Sequence, residues 1–294
     1  MISLDPKEIS VAKTQGYLQS AIGPRPVAFA STMDKNGIPN LSPFSFFNVF
    51  SANPPILVFS PARRVRDNTV KHTLVNCEHQ KEVVINVVTY DIVQQMSLSS
   101  TEYPEGVNEF LKAGLTMLPS QKIKPPRVAQ SPVQFECVVN EIISLGNEGG
   151  AGNLIICEVV MMHLHESILN ADQTIDQLKL DLVSRMGGNW YSRANMGLFE
   201  IPKPLSTLGI GVDAIPEFIK KSSVFDGNDL GMLGNVESLP SEEEITIFVS
   251  QNISLKGVLS SADEMKVHKK AKEYLSRQDA LSAWKVLLAK RVEV

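Results

Sequence analysis

One hairpin signal constrains the fold of this chain more than any other feature of the sequence. Two long runs rich in β-branched and apolar residues, 133–145 and 154–165, flank the segment Gly146-Asn147-Glu148-Gly149-Gly150-Ala151-Gly152-Asn153. Glycine and asparagine accept the backbone angles of turns, whereas β-branched side chains favour strands. The pattern therefore predicts two long antiparallel strands joined by a flexible turn.

Other strand patterns fit the same framework. Further strands are predicted at 26–33, 56–60, 82–88 and 182–185. Asp34-Lys35-Asn36-Gly37 predicts a tight hairpin turn because Asn-Gly accepts positive φ angles, and 42–51 predicts a loop. Many strands with hairpin connections and few helices favour a closed or nearly closed antiparallel barrel with helices at its ends. A doubly wound fold is disfavoured, because no G-x-G-x-x-G follows the first strand.

Helices are predicted around this barrel and beyond it. Short helices are predicted from Asp67 or Asn68 to Cys77, over 91–96 and over 105–113, the last one capped by Gly114. Near residue 204 the composition changes, and 261–290 predicts a helical segment of mixed charge with Ser261 or Asp263 as N-cap. We therefore expect one domain over 1–204 and a mostly helical C-terminal extension of undefined role over 205–294.

Composition excludes several classes of partner. The 294 residues are 43% hydrophobic with a net charge of −4, so we expect neither nucleic acid nor an anionic membrane as partner. No apolar run approaches the roughly 20 residues that span a bilayer, and the N-terminus lacks the pattern of a signal peptide. Three widely spaced cysteines predict buried free thiols of a reducing compartment, so a cytoplasmic location is expected.

A cationic, hydroxyl-rich loop covers residues 60–73. It contains Ser60, Arg63, Arg64, Arg66, Lys71 and Thr73. Arginine, lysine and hydroxyl groups together donate to a phosphate from several directions, and a helix beginning near Asn68 would add its dipole. The alternative is an ordinary solvated basic loop, which spacing alone favours.

A second loop, 42–48, combines polar groups with aromatic rings. Ser45 and Asn48, with the loop amides, suit the carbonyl and nitrogen edge of a flat ring system, and Phe46 or Phe47 could cover one face of it. The alternative, which the loop taken by itself favours, is that Phe44, Phe46 and Phe47 are core anchors. A polar-edged ring followed by a phosphate is the chemistry of FMN, which we therefore predict as the ligand of the two loops.

A third candidate is the segment 185–191. Its glycine pair permits close backbone approach, so Trp190 or Tyr191 could close over a ligand; the alternative is a tight turn with buried aromatics. His163 and His165 share a strand face, but no third ligand of recognisable spacing accompanies them, so no metal site is predicted. No cysteine has a neighbouring histidine or a C-x-x-C partner, and G-x-S-x-G, Walker and H-E-x-x-H motifs are missing.

Residues from about 10 to 204 resemble the flavin reductase-like, FMN-binding split-barrel proteins, which include flavoredoxin and the reductase components of two-component flavin monooxygenases. The matching segments are Pro24-Arg25-Pro26-Val27-Ala28 with Ser31-Thr32, Asn40 to Asn48, Pro54-Pro55, Lys71 to Asn76, Val83 to Val88, Pro125-Pro126-Arg127-Val128, and Arg185-Met186-Gly187-Gly188 with Tyr191. Their order and spacing carry the resemblance.

This resemblance implies a six-stranded antiparallel Greek-key split β-barrel with flanking helices, forming a homodimer with FMN near the subunit interface. The residues implied to line the ring and ribityl chain are Ser31, Thr32, Ser45, Phe46, Phe47 and Asn48. Those implied to bind the phosphate are Ser60, Arg63 or Arg64, Lys71 and Thr73, while Arg185 and Tyr191 are assigned to the pocket wall. His72 departs from the family, which often has aspartate at this position.

The implied function is that of an FMN-dependent oxidoreductase, an NAD(P)H:flavin reductase in which hydride passes to the flavin N5 atom. Because the flavin carries this chemistry, no catalytic side chain is assigned. Reduced flavin or electrons would pass onward to a monooxygenase or another redox protein. One alternative is a flavoredoxin-like electron carrier whose tightly held FMN is reduced by a protein partner. Another is a non-catalytic interaction protein that uses the extension for docking.

Overall fold

A computed structural model describes residues 1–202, 204 and 207–291 of the chain. The chain divides into two compact units, Met1–Leu198 and Phe199–Val294. Each unit has a hydrophobic core of its own. None of the helices in the described part of the chain combines the length and the apolar character that crossing a bilayer requires.

The first unit is built on an antiparallel sheet of seven strands. The strands of this unit are β1 Ala28–Met33, β2 Pro39–Phe44, β3 Phe47–Ala52, β4 Pro55–Phe59, β5 Glu82–Val87, β6 Met117–Leu118, β7 Arg127–Val128, β8 Val133–Ser144, β9 Asn153–Leu164, β10 Val183–Arg185 and β11 Tyr191–Arg193. The large sheet has the order β2-β1-β5-β8-β9-β4-β3, while β6–β7 and β10–β11 form two small ribbons.

The predicted central hairpin is confirmed. Strands β8 and β9 pair along their whole lengths, from Val133 opposite Leu164 to Ser144 opposite Asn153. The glycine-rich segment forms the turn, and Gly150 has a φ of +94°, a value that glycine tolerates at little cost. The sequence therefore located the longest strand pair of the sheet correctly.

The predicted six-stranded, closed or nearly closed barrel needs correction, because the sheet has seven strands and its edges are not joined by a ladder. The segment predicted as a loop, 42–51, forms the end of β2 and most of β3. Strand β3 was missed because its side chains are mostly exposed and show no alternation of apolar and polar residues. Only Ser45 and Phe46 separate β2 from β3, so the two edges of the curled sheet meet at this bend.

Eleven α-helices occur in the described part of the chain. They are α1 Val11–Ala21, α2 His72–Gln80, α3 Val93–Ser99, α4 Glu109–Ala113, α5 Gln177–Leu180, α6 Glu217–Lys220, α7 Gly227–Gly234, α8 Glu242–Gln251, α9 Lys256–Leu259, α10 Glu264–Leu275 and α11 Ala280–Leu288. Short 3₁₀ helices cover Tyr90–Ile92, Glu166–Ile168, Ala194–Met196, Ile253–Leu255 and Ala289–Arg291.

Two helix starts differ from the prediction. Helix α2 begins at His72 rather than near Asn68, because Asn68 has a φ of +58° and Lys71 is the extended N-cap. Helix α4 begins at Glu109 rather than at 105, because Gly106 takes a φ of +81° that interrupts a helix. The predicted cap Gly114 is confirmed, with a left-handed φ of +64°.

The core of the curled sheet contains all three cysteines. Cys77, Cys137 and Cys157 are free and buried, which confirms the sequence prediction of buried thiols. A hydrogen bond with the Cys157 sulfur, together with burial, raises the pKa of Cys137 well above its ordinary value. Burial likewise raises the pKa of Cys77. Protonated buried thiols of this kind are poor nucleophiles.

The second unit is helical, as predicted, with Asp263 capping α10. Its core surrounds Trp284, whose indole Nε1 donates to the Leu233 carbonyl at 3.0 Å. Asp226 caps α7 and accepts hydrogen bonds from the Asn228 and Asp229 N–H groups. The bond from Asp229 is the main cause of the lowered pKa of Asp226. The unit also has a half-open cavity of about 880 Å³ between α7, α11 and the segment before α8.

Candidate functional site

A buried polar network connects β1, β2 and α2 below the candidate site. Asn40 on β2 is its centre: its Oδ1 accepts from the Thr73 hydroxyl at 2.9 Å, and its Nδ2 donates to Glu109 Oε1 at 2.8 Å. Asn76 of α2 donates to the Thr32 hydroxyl at 3.0 Å. Thr32 and Thr73 are buried, so their hydroxyls serve this network in the structure.

Glu109 fixes the position of β2 within this network. Its second carboxylate oxygen accepts the Leu41 N–H at 2.9 Å, so a single side chain accepts one backbone and one side-chain donor of β2. Burial raises the pKa of Glu109, although these hydrogen bonds favour the charged form. Neither Asn40 nor Glu109 was assigned a role from the sequence, because their contact joins positions 69 residues apart.

Above the network lies a small polar cleft, which we call the cationic cleft. Its lining consists of Asn40, Ser42, Arg64, Lys71, His72, Thr73, Ser99, Ser100, Thr101, Glu102, Tyr103 and Glu109. Three of the predicted phosphate-binding residues, Arg64, Lys71 and Thr73, therefore come together here. The cleft also contains two carboxylates that the sequence did not single out, those of Glu102 and of Glu109.

Lys71 is the cation of this cleft that lacks a partner within the described part of the chain. Its ammonium group makes no hydrogen bond or ion pair with any described residue, although the side chain is half-buried. Burial lowers the pKa of Lys71, and the positive charge of Arg64 lowers it further. A half-buried ammonium group beside another cation is costly unless an anion joins it. The cleft therefore offers a donor set that suits a phosphate.

Arg64 has two acceptors of its own besides the carboxylate. Its guanidinium donates to Thr69 Oγ1 at 2.7 Å and to the Val70 carbonyl at 2.9 Å, while its Nε lies 2.8 Å from Glu102 Oε1. Arg66 contacts the other oxygen of Glu102 and lies 3.0 Å from Asp67 Oδ2. The loop between β4 and α2 thus presents its cations in fixed positions.

The structure gives Ser60 and Arg63 different partners. Ser60 Oγ accepts the Asn153 N–H at 3.0 Å. The Arg63 guanidinium donates to the side chain and the carbonyl of Asn68, at 2.6 and 3.0 Å. Neither residue lines the cationic cleft. The resemblance left open whether Arg63 or Arg64 binds the phosphate, and Arg64 is the one that lines the cleft.

The bend between β2 and β3 holds the other predicted loop. Ser45 Oγ lies 3.4 Å from the Nε of Arg25, a buried residue that also donates to the carbonyls of Ile22, at 2.6 Å, and Met186, at 2.9 Å. Burial lowers the pKa of Arg25, and nearby Arg185 adds to the effect. The short motif Pro24-Arg25-Pro26 marked Arg25 in the sequence, but nothing local revealed its partner in the 185–188 segment.

Arg185 and Tyr191 flank the same bend from the second ribbon. The Arg185 guanidinium lies 4.6 Å from the centre of the Tyr191 ring and donates to the Gly188 carbonyl at 2.6 Å. The Arg25 and Arg185 backbones also exchange hydrogen bonds of 2.8 and 2.9 Å. Ser45, Arg185 and Tyr191 are thus linked through Arg25, which the sequence did not assign to the site.

The remaining predicted residues lie on β1 and β3. Phe46 is exposed at the bend, whereas Phe47 is partly buried against the sheet core, as the core-anchor alternative expects. The contact of Phe46 with a bound ring stays a prediction. The Asn48 side chain is exposed and accepts the Val49 N–H at 2.9 Å. Ser31 is fully buried, and its hydroxyl lacks a hydrogen-bond partner among the described residues.

His163 and His165 do not share a ligand. His163 Nε2 contacts the buried carboxylate of Glu136 at 2.7 Å, and His165 Nδ1 contacts Ser167 Oγ at 2.8 Å. Burial acts to raise the pKa of Glu136, but the N–H groups of Gln121 and Lys122 donate to it, and the pKa lies below its ordinary value. The described residues contain no cluster of three or more metal-ligating side chains.

A curled antiparallel sheet whose edges meet beside a cationic cleft defines the class of split-barrel, flavin-binding proteins. The family model of the flavin reductase like domain matches residues 21–179. A protein of Halalkalibacterium halodurans is 36% identical over 194 residues, which cover 65% of this chain and 92% of that protein. The chain therefore belongs to the flavin reductase like family, and it is a flavin-binding oxidoreductase.

Two solved structures show the same fold. The chain is similar to nitrilotriacetate monooxygenase component B from Bacillus cereus, with a TM-score of 0.64 and 30% identity over 68% of this chain and 98% of that one. It is also similar to flavoredoxin of Desulfovibrio vulgaris, with a TM-score of 0.53 and 22% identity over 63% of this chain and 93% of that one. The second similarity concerns the fold alone.

Proposed function

We propose that this protein is an NAD(P)H-dependent flavin reductase that binds FMN. The proposal depends on the ammonium group of Lys71, which lies beside Arg64 in the cationic cleft. This ammonium group makes no hydrogen bond or ion pair with any residue that the structure describes. A phosphate would supply the ion-pair partner that Lys71 lacks, and charge-assisted hydrogen bonds to anions are among the strongest in proteins. FMN carries such a phosphate, which supports FMN over riboflavin as ligand.

The spacing along β2 supports the placement of the rest of the ligand. Ser42 lines the cationic cleft, and Ser45 lies three residues further along the chain, at the bend. Three residues of extended strand span about 10 Å. This distance suits a molecule whose phosphate and ring lie at opposite ends of a ribityl chain. In the proposal, Ser45, Phe46 and Asn48 contact the ring, and Phe47 supports the bend from the core.

The other predicted residues have narrower roles in this proposal. Thr32 and Thr73 shape the floor of the site through Asn40, and Ser31 offers its hydroxyl only to a group that reaches β1. Ser60 and Arg63 support the cationic loop through Asn153 and Asn68. Arg185 and Tyr191 form the wall next to the bend.

A bound flavin would supply the ring system that accepts and donates electrons. The chain would bind the phosphate, orient the ring edge and exclude water, and no side chain is needed to transfer a proton. The similarity to component B of nitrilotriacetate monooxygenase supports a monooxygenase as the recipient of reduced flavin. A homodimer remains part of the proposal, and the exposed apolar side chains of Val49 and Phe50 on edge strand β3 support it.

An anaerobic titration tests the proposal. Purified protein is mixed with FMN, NADH or NADPH is added, and the visible absorbance of the flavin is followed. Bleaching of the bound flavin at a rate above that of free FMN is the expected result. If the absorbance of bound flavin does not change on addition of NADH or NADPH, the electron-carrier alternative is favoured instead. A failure to bind flavin would contradict the proposal. Light scattering during size-exclusion chromatography tests the dimer, and a monomeric mass would contradict it.

A further inference from the structure

Glu102 places a negative charge inside the cationic cleft. It follows α3 in the chain, and its two carboxylate oxygens contact different arginines, Oε1 lying 2.8 Å from Arg64 Nε and Oε2 contacting the Arg66 guanidinium. The carboxylate therefore neutralises two of the cations of the 60–73 loop. Lys71 makes no ion pair with a described residue, although the Glu102 charge acts on it at longer range and partly offsets the lowering of its pKa.

We propose that Glu102 competes with the flavin phosphate for these arginines and thereby keeps FMN binding weak enough for exchange. The inference rests on the proposed function, because it concerns the same cleft. A reductase that delivers reduced flavin to another protein must release its flavin, whereas a carrier with fixed FMN need not. In this proposal, Glu102 shifts the balance from retention of FMN towards its exchange.

The direction of the effect follows from the other partners of Arg64. This guanidinium keeps two acceptors without Glu102, namely Thr69 Oγ1 at 2.7 Å and the Val70 carbonyl at 2.9 Å. Glu102 is therefore not needed to orient Arg64, and removing the carboxylate frees the Nε donor for an external anion. If Glu102 were instead a support for the arginine, its removal would weaken phosphate binding.

Arg66 is also held independently. Its Nε lies 3.0 Å from Asp67 Oδ2, and the other oxygen of Asp67 accepts from both the N–H and the hydroxyl of Thr69. The loop consequently keeps its shape when Glu102 loses its charge. What changes is the charge of the cleft, which becomes more positive by one unit.

The size of the effect is limited by solvent. The Glu102 side chain is 42% exposed, so its interactions are screened. Ion pairs of a partly exposed carboxylate contribute modestly, so losing two of them beside a like-charged phosphate gives an expected change in the FMN dissociation constant of about three- to tenfold. A change of this size is measurable by direct titration.

The test compares Glu102→Gln with wild-type protein by quenching of flavin fluorescence at low ionic strength. FMN and riboflavin are titrated in parallel, because only FMN carries the phosphate. Glu105→Gln is the matched control: it removes one negative charge from the same loop, at an exposed position that makes no ion pair with a described residue. Urea unfolding of each variant checks that the fold is intact.

The expected result is that Glu102→Gln binds FMN about three- to tenfold more tightly than the wild type and binds riboflavin equally well. The gain in FMN affinity should disappear at high salt. Glu105→Gln should match the wild type. Unchanged or weaker FMN binding in Glu102→Gln, with the wild type still binding flavin, overturns this inference and leaves the proposed function intact.

Loss of all flavin binding in the wild type would contradict the proposed function instead. Calorimetry with inorganic phosphate then tests the role of Glu102 on its own. Tighter phosphate binding by Glu102→Gln than by Glu105→Gln would support competition for the arginines, and equal binding would overturn it.

Discussion

Replacing Lys71 by glutamine gives the sharpest test of the proposed phosphate site. The substitution keeps most of the length of the side chain but removes its charge, so the cationic cleft keeps Arg64 and loses the ammonium group that lacks an acceptor among the described residues. FMN binding should weaken, whereas riboflavin, which has no phosphate, should bind as it does to the wild type. The difference between the two ligands isolates the phosphate contribution.

The magnitude follows from the kind of contact that is lost. A hydrogen bond to a charged group contributes about 1 to 3 kcal/mol, and losing it corresponds to a roughly five- to 150-fold increase in the FMN dissociation constant. Lys71 is half-buried rather than enclosed, and Arg64 remains in place to bind the anion. We therefore expect a value in the lower half of this range, about five- to 20-fold.

Although Lys71→Gln should weaken FMN binding, it should not reduce the stability of the flavin-free protein. Because burial and Arg64 lower the pKa of Lys71, the folded state holds the charged ammonium less favourably than the unfolded chain does. This penalty is fully present below the folded-state pKa and disappears as the pH rises past the ordinary value for lysine. At neutral pH and without flavin, Lys71→Gln should therefore unfold at a urea concentration equal to or above that of the wild type.

Fluorescence titration and urea unfolding check both expectations, and Lys35→Gln is the matched control. Lys35 lies exposed in the turn between β1 and β2, so its substitution removes one positive charge away from the cleft. FMN affinity in Lys71→Gln equal to that of the wild type and of Lys35→Gln would refute the phosphate assignment. A loss of FMN affinity accompanied by an equal loss of riboflavin affinity would refute it as well.

Three further predictions concern the supports of the site and the second unit. Glu109→Ala leaves two buried donors of β2 without an acceptor and should lower the free energy of unfolding in urea by about 2 to 5 kcal/mol, while Glu105→Ala should not. Arg25→Lys removes the planar donor group behind Ser45, so FMN and riboflavin should both bind more weakly in a fluorescence titration. Unchanged riboflavin affinity would argue against a role of Arg25 in positioning Ser45. The pKa of Asp226 is lowered in the folded state, so its charged side chain stabilises the fold at any pH above the ordinary pKa of aspartate. This stabilisation is lost as the pH falls through the pKa that Asp226 has in the folded state. Asp226→Asn should therefore reduce the acid sensitivity of thermal unfolding, as followed by circular dichroism.

The sequence by itself determined those features that depend on local pattern. Two long runs rich in β-branched residues around a glycine-rich turn predicted the β8–β9 hairpin, because pairing between neighbouring strands follows from the turn that joins them. The residue types of the cationic loop also predicted a phosphate site, although spacing alone favoured a solvated loop, and this assignment stays a prediction. The three cysteines were predicted to be free and buried from their number and spacing, and the structure confirms it.

The tertiary structure decided everything that depends on distant contacts. Strand β3 lacks an alternating pattern, and the sheet places β2 and β3 at opposite ends of its strand order although only two residues separate them in the chain. Arg25 contacts Met186 across 161 residues of sequence, and Glu109 contacts Asn40 across 69. Glu102 reaches Arg66 across 36. A side chain shows which bonds it can form, but its partner is set by the folding of the whole unit, which no local spacing records.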